Sequence, residues 1–434
     1  MICFSNFLRI LVGLIFVSTM WKDRGPQLWY NFSYLGAIQV SNFILSLIMI
    51  PYVVSVLGAE GFGVIAVAQI SIFYLSVLVD YGFNRSAIRE VALFRNDRQQ
   101  LSILFSTVII SRLLLSIIAL VILCILVESI PLFRAHRSVY YYGFCFVLGQ
   151  ALLVNWFFQG MEKMKYNAIS SLFSRLLFTM LVFVFIRNAD DTHLYLFFMG
   201  AGNIVAGILS IIACFREYKL KWVGPSGKKI RQELIEGWHY TISNLSMTTI
   251  QYGGLFILRL FTNDLLVGYY SIAEKIYFAM KMMLDVFSQA AYPRVCLLVQ
   301  EGRDKTSQFF RQGYVYFLGM VIAGASLIAL FAPWVIQFFV KDADPQTAFL
   351  LRVLCLALVI VCLHMPAALL LLAGNHKNEY MKIFTLGLLV CLVSQFLLAA
   401  NFKAMGTVIA VLITESFITA GLYWQIRAVY KKQA

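Results

Sequence analysis

Two segments of the chain place polar side chains along one face of an otherwise apolar helix. In the first segment these positions are separated by 4, 3, 4 and 4 residues, and the second segment repeats the spacing. Residues at such intervals lie on one side of a helix. The two sets are Gln69, Phe73, Ser76, Asp80 and Asn84, and Glu274, Phe278, Lys281, Asp285 and Gln289. Phenylalanine occupies the second position of each set, and the other four positions are polar. Polar faces in apolar surroundings turn toward a protein interior or a watery cavity, so we predict that both helices line one.

Basic residues also lie within the apolar stretches of the chain. A lysine or arginine at the centre of a bilayer costs about 2.5–3.5 kcal/mol, so we expect such a residue to be paired or to bind a ligand. These residues are Arg9, Arg112, Arg175, Arg259, Lys275, Lys281 and Arg352.

Several of these cations have a purely structural alternative. Lys281 and Asp285 are one helical turn apart and can neutralise each other. Arg259 and Arg352 lie near the predicted outer surface, and Arg175 can extend toward the inner one, where long side chains reach water. Arg112 has no acidic residue within one turn, so we predict a functional role for it.

Acidic residues and histidines suggest little further chemistry. Asp80, Glu274 and Asp285 are candidates for ion or proton coupling, with helix capping or pairing as the open alternative. The histidines form no pair at metal-ligand spacing, and the cysteines form no C-x-x-C pair. The sequence contains no phosphate-binding glycine loop and no serine-nucleophile motif. We therefore expect no metal, no cofactor and no enzymatic activity.

The composition identifies the solvent of these helices as a bilayer. Of 434 residues, 61% are hydrophobic and 13% are charged, and the mean hydropathy is +0.81, whereas soluble domains are about one quarter charged. Apolar runs long enough to span a membrane recur throughout, so we predict an all-α integral membrane protein with twelve transmembrane helices. The predicted spans are 32–57, 61–83, 101–127, 139–158, 167–187, 194–214, 238–262, 266–289, 313–340, 347–373, 381–400 and 405–426.

The basic residues of the loops predict the orientation. One set of alternate loops and termini carries 23 lysines and arginines and the other carries 5, which places both termini in the cytoplasm. The net charge of +14 is then explained by basic loops beside anionic lipid headgroups. Membrane lipids are therefore expected partners, and nucleic acid is not.

An internal repeat divides the chain into two pseudo-symmetric six-helix bundles, 28–215 and 238–434, around a central cavity. The basic linker 216–237 joins them, and the two polar helices align at an offset of 205 residues. Parallel repeats of this kind predict a cavity that opens first to one side and then to the other. Pro51 and the glycines from Gly58 to Gly63 are candidate gating hinges, with a static kink and a tight turn as the alternative.

Residues 1–27 are predicted to be an N-terminal extension. The first nineteen are apolar but contain Arg9 and lack the basic region and cleavage site of a signal peptide. A thirteenth span is one interpretation. We favour Met20 as the natural start.

Three stretches carry a resemblance to a known family: "IPYVVSVLGAEGFGVIAVAQ", "DYGFNRSAIREVA" and "VGYYSIAEKI". They resemble polysaccharide flippases of the O-antigen (Wzx) type, which share a superfamily with multidrug (MATE) exporters and lipid II flippases. The resemblance extends from Leu28 to the C-terminus. It implies movement of an undecaprenyl-diphosphate-linked oligosaccharide from the cytoplasmic to the periplasmic leaflet of a bacterial inner membrane. Other polysaccharide assembly proteins are candidate partners.

Such a substrate gives the membrane cations a role. They would receive the diphosphate while the prenyl tail stays in lipid, and arginine offers phosphate a planar, fork-shaped donor group. The candidate ligands are Arg112, Arg175, Arg259, Lys275 and Lys281.

Two other functions remain as alternatives. A MATE-type multidrug or cation antiporter would need a cavity rich in acids and aromatic residues. A polymerase or ligase of glycan assembly typically has a large periplasmic loop, whereas the longest predicted outer loop spans about a dozen residues around Glu128–Val139.

Overall fold

The structure is a computed structural model that describes residues 26–340 and 344–433. Within these ranges the chain forms helices joined by short connections, and no strand occurs. Met20 and nearly all of the predicted N-terminal extension lie outside the described residues.

The predicted spans fall in helical parts of the chain, although α9 and α10 extend beyond their predicted spans and two other predicted spans, 139–158 and 313–340, are broken into shorter helices. The first half contains α1 (Pro26–Asp80), α2 (Phe83–Leu93), α3 (Arg98–Ser129), α4 (Pro131–Arg134), α5 (Arg137–Leu152), α6 (Asn155–Gly160), α7 (Met164–Phe185) and α8 (Thr192–Glu217). The second half contains α9 (Gly227–Phe261), α10 (Asp264–Glu301), α11 (Arg303–Phe309), α12 (Val315–Leu330), α13 (Ala332–Phe339), α14 (Pro345–Ala373) and α15 (Lys377–Gln433). A π-helical turn, Phe310–Tyr314, joins α11 to α12.

Helix α1 consists of two helices separated at Gly58. This glycine has a φ of 72°, a left-handed conformation that side chains with a Cβ rarely adopt. Met49 and Ala66 line the same cavity, although a straight helix would separate them by about 25 Å. The chain therefore turns back at Gly58, whereas the helix continues through Pro51.

Helix α15 is interrupted in the same way at Lys403, which has a φ of 51°. The side-chain amide of Gln395 donates a hydrogen bond across the break to the Thr407 carbonyl at 3.4 Å. The predicted boundary between residues 400 and 405 agrees with this break.

Eight described segments are long and apolar enough to cross a membrane: Ile48–Asp80, Arg98–Ser129, Arg137–Gly160, Met164–Phe185, Ala189–Glu217, Asp304–Leu330, Pro345–Ala373 and Asn378–Val429. The last of these includes two predicted spans. Helices α9 and α10 are not among the eight, because polar residues interrupt their apolar sequence. The total of twelve spans stays a prediction.

The two halves of the chain meet along the second part of α1. The Tyr74 hydroxyl donates a hydrogen bond to the Thr249 hydroxyl of α9 at 3.2 Å. Between α8 and α9 the chain is non-helical only over residues 218–226. There the Lys221 and Val223 amides donate to the hydroxyls of Ser102 and Ser106 at 3.1 Å, which fixes the connection against α3.

Candidate substrate cavity

A cavity of about 270 Å³ lies between the two halves of the chain. Helices α1, α7 and α8 form one wall, and α9 and α10 form the other. Its polar lining consists of Gln69, Arg175, Tyr195, Tyr252, Glu274 and Lys275. Pockets that hold drug-sized ligands measure about 300–1,000 Å³, so in this state the cavity does not enclose an oligosaccharide.

Lys275 connects the two walls of the cavity. Its Nζ atom donates a hydrogen bond to Oε1 of Gln69 at 3.1 Å and lies 5.6 Å from the centroid of the Phe62 ring. Gln69 belongs to the first predicted polar face, and Lys275 adjoins Glu274 of the second. The structure thus brings the two polar faces together at one site.

Arg175 supplies the second cation of the lining, from α7. Its guanidinium lies 5.4 Å from the centroid of the Phe178 ring, and it is close enough to Lys275 for the two charges to repel. Like charges held near each other favour an anion between them.

Glu274 is the one carboxylate among the lining residues. Its side chain is buried and accepts a hydrogen bond from the Tyr270 hydroxyl. Two cations and one carboxylate give the lining a net positive charge. The cavity is therefore suited to an anionic group.

Arg112 lies away from the cavity lining, in a buried contact within the first half. Its Nη2 atom donates to Asp80 at 2.5 Å and to Asn84 at 3.1 Å, and Nη1 donates to the Leu153 carbonyl at 2.9 Å. Arg112 is 2% exposed. The predicted role in diphosphate binding stays a prediction, and it would require this cluster to open.

Lys281 also has an acidic partner, but a different one from the acid in its own helix. Its Nζ atom is 3.2 Å from Oε1 of Glu415 on α15. Asp285, one turn away, is exposed. The local pairing considered from the sequence is thus replaced by a contact between α10 and α15.

Arg259 pairs with Asp264 at the junction of α9 and α10, with Nε and Nη2 donating to the carboxylate at 2.5 and 2.9 Å. His136, from the first half, lies 3.4 Å from the same carboxylate. Burial raises the pKa of Asp264, but hydrogen bonds with His136 and Arg259 outweigh burial and hold that pKa below its ordinary value. Arg259 therefore belongs to an ion cluster at the end of the helices.

Sequence reasoning missed three residues of interest. Tyr195 and Tyr252 line the cavity, and nothing in their local sequence distinguishes them from other aromatic residues. Glu415 could have been found, because it is a lone acid in the apolar stretch "VLITESFITAG", and such residues are rare inside membranes.

Comparison with known sequences gives two similarities. Residues 28–298 match the sequence model of a family described as polysaccharide biosynthesis protein. A "Putative O-antigen transporter" of Escherichia coli (strain K12) is 28% identical over 399 residues, which cover 92% of this chain and 96% of that protein.

Solved structures share the fold. An inward-facing multidrug resistance MATE family transporter of the MOP superfamily superposes with a TM-score of 0.67 at 17% identity, covering 96% of this chain and 98% of the other. Lipid II flippase MurJ, in an inward closed conformation, superposes with a TM-score of 0.65 at 14% identity, covering 91% of this chain and 87% of MurJ.

Proposed function

This chain belongs to the polysaccharide biosynthesis protein family, and we propose that it is a flippase for a lipid-linked oligosaccharide. Its substrate would be an undecaprenyl-diphosphate-linked repeat unit of O-antigen or a similar surface polysaccharide. Alternating access would carry it from the cytoplasmic to the periplasmic leaflet of a bacterial inner membrane. The proposal includes twelve membrane-spanning helices in two bundles, with both termini in the cytoplasm.

The cations of the cavity carry this proposal. Arg175 comes from the first half and Lys275 from the second, and both line the same space. A diphosphate bound between them would contact both halves at once. Arginine and lysine both bind phosphate oxygens strongly, through a planar fork and a compact charge respectively.

The names of similar proteins support the same class of substrate. The relative from Escherichia coli is named as an O-antigen transporter, and one structural neighbour is a lipid II flippase. These are transporters rather than enzymes, and we extend that class to this chain.

The test replaces the two cavity cations in a strain that lacks its own O-antigen flippase. We expect Arg175→Gln with Lys275→Gln to abolish surface polysaccharide at normal protein levels, and Lys275→Arg to retain part of it. Lys305→Gln is the matched control, because Lys305 lies on an exposed surface beside Glu301. Normal surface polysaccharide from the double variant would contradict the proposal.

One observation favours a MATE-type cation exporter as a second candidate. Aromatic residues line the cavity beside Glu274, namely Phe73, Tyr195, Tyr252 and Phe278, and aromatic faces attract organic cations. The net positive lining opposes such a substrate. Efflux of a cationic dye that is lost in Glu274→Gln but unaffected in Lys275→Gln would support this candidate instead.

A further inference from the structure

A buried cluster of three titratable side chains lies in the second half, beside the cavity. It consists of Lys281 on α10, His364 on α14 and Glu415 on α15. The Lys281 ammonium is 3.2 Å from Oε1 of Glu415, and Nδ1 of His364 is 4.0 Å from Oε2. Glu415 is 6% exposed.

The hydrogen bonds around His364 indicate where its proton lies. The Thr419 hydroxyl donates to the Glu415 carbonyl at 2.7 Å, so its oxygen is left to accept from Nδ1 of His364 at 3.1 Å. In this arrangement Nδ1 of His364 carries a proton directed toward Thr419, and the same atom lies 4.0 Å from Oε2 of Glu415. The opposite charges of Lys281 and Glu415 balance each other.

The position of Lys281 suits an exchange of its partner, from the Glu415 carboxylate to an anion bound in the cavity. It lies seven residues from Glu274 along α10, two turns further on the same helical face, and it adjoins Phe278 and Met282 of the cavity lining. Its side chain is 25% exposed, whereas that of Glu415 is 8% exposed. Lys281 therefore lies next to residues of the cavity lining and is more exposed than the buried carboxylate with which it pairs.

We propose that Glu415 binds a proton when Lys281 turns to the diphosphate of the substrate. This inference rests on the proposed flippase function and adds a proton site to it. Once the ammonium leaves, the carboxylate is an uncompensated charge in a membrane interior, and desolvation favours its neutral form. One proton passes from the aqueous cavity to Glu415, and proton uptake accompanies substrate binding.

Other titratable groups also face this cluster. They are Tyr252 on α9, Tyr277 and Asp285 on α10, and Tyr380 and Cys391 on α15. Asp285 is the remaining carboxylate among them.

The experiment measures binding of undecaprenyl diphosphate to the purified full chain in lipid nanodiscs between about pH 6 and pH 8. Glu415→Gln imitates the protonated carboxyl and leaves Lys281 free, so we expect it to bind the probe about tenfold more tightly at the upper pH. Its binding should depend less on pH than that of the natural protein. Because the probe is the same for both proteins, its own ionisation cancels in the comparison.

Two controls accompany this measurement. The surface change Glu301→Gln should leave the pH dependence unchanged, and adding Lys281→Met to Glu415→Gln should abolish the gain. Calorimetry in buffers of different ionisation enthalpy should record proton uptake on binding by the natural protein, and this uptake should disappear in Glu415→Gln.

Two results would overturn the proposal while leaving the flippase function intact. One is an unchanged pH dependence in Glu415→Gln, and the other is the absence of proton uptake by the natural protein, which needs no variant to fold. Failure of the natural protein to bind the probe at all would contradict both the flippase function and this inference.

Discussion

Gly63 of α1 and Gly268 of α10 contact each other backbone to backbone, and they are 205 residues apart. A Cβ atom on Gly63 would overlap the Asp264 carbonyl oxygen and lie 2.8 Å from the Gly268 nitrogen. A Cβ atom on Gly268 would overlap the Ala59 carbonyl oxygen and lie 3.3 Å from the Gly63 nitrogen. Ala59 and Asp264 are also 205 residues apart. The contact is therefore reciprocal, with the symmetry that the predicted repeat requires.

This close contact predicts that alanine is not tolerated at either glycine. Gly268→Ala should force α1 and α10 apart and lower the stability of the folded protein by about 1–3 kcal/mol. We expect a lower melting temperature in detergent and reduced surface polysaccharide. Gly324→Ala in α12, where a Cβ would meet no atom within 4 Å, is the matched control. Equal behaviour of the two variants would show that the glycine contact is dispensable.

The pair formed by Arg112 and Asp80 predicts a strong dependence of stability on both partners. Removing one side of a buried ion pair typically costs about 3–5 kcal/mol, because the other charge is left uncompensated. Arg112→Met and Asp80→Leu should each lower the melting temperature, and the double variant should recover most of the loss. Polysaccharide export by the stable double variant would identify the pair as structural. A stable double variant without export would support the substrate role predicted for Arg112.

Tyr314 replaces a hydrogen bond that Pro366 removes from α14. Proline at 366 has no amide hydrogen to donate to the Cys362 carbonyl, and the Tyr314 hydroxyl donates to that carbonyl instead. Tyr314→Phe should therefore destabilise the protein by about 1–3 kcal/mol. Adding Pro366→Ala restores the backbone donor and should recover part of this loss in thermal unfolding. A double variant no more stable than Tyr314→Phe would contradict this explanation.

The cluster of Asp264, Arg259 and His136 predicts an acid-sensitive contribution to stability. The pKa of Asp264 lies below the ordinary value of 3.8, so its stabilisation is fully present above that pH and is lost as pH falls through the lowered pKa. Asp264→Asn should therefore be less stable than the natural protein at neutral pH, and the difference should shrink under acidic conditions. Asp304→Asn, at an exposed position, is the control. If the stability difference between Asp264→Asn and the natural protein instead grew below pH 3.8, the result would contradict this explanation.

The unequal distribution of basic residues between alternate loops predicts on which side of the membrane each loop lies. Reporter fusions or cysteine labelling should place residues 218–226 in the cytoplasm and the connection around Pro131–Arg134 in the periplasm. Both positions labelled from the same side would contradict the proposed topology.

The amino-acid sequence was sufficient to identify a bilayer as the solvent, the helical class of the fold and the polar faces of two helices. Composition required a bilayer, and spacing of 3 and 4 residues placed Gln69 and Glu274 on polar faces that the structure brings to one cavity. The glycines from Gly58 to Gly63, between two apolar runs, also indicated a break in the helix there. These features depend on residues close in sequence, and helical periodicity is sufficient to read them.

Which charged residues pair with each other depends on helices that are distant in the sequence. Arg112 had no acid within one turn, yet it pairs with Asp80, 32 residues earlier. Lys281 had Asp285 within one turn, yet it pairs with Glu415, 134 residues later. Periodicity fixes the face from which a side chain extends, but not the helix that packs against that face. In a membrane interior an unpaired charge is costly, and only the packing of distant helices determined that Arg112 and Lys281 pair with acidic residues whereas Arg175 and Lys275 line the cavity.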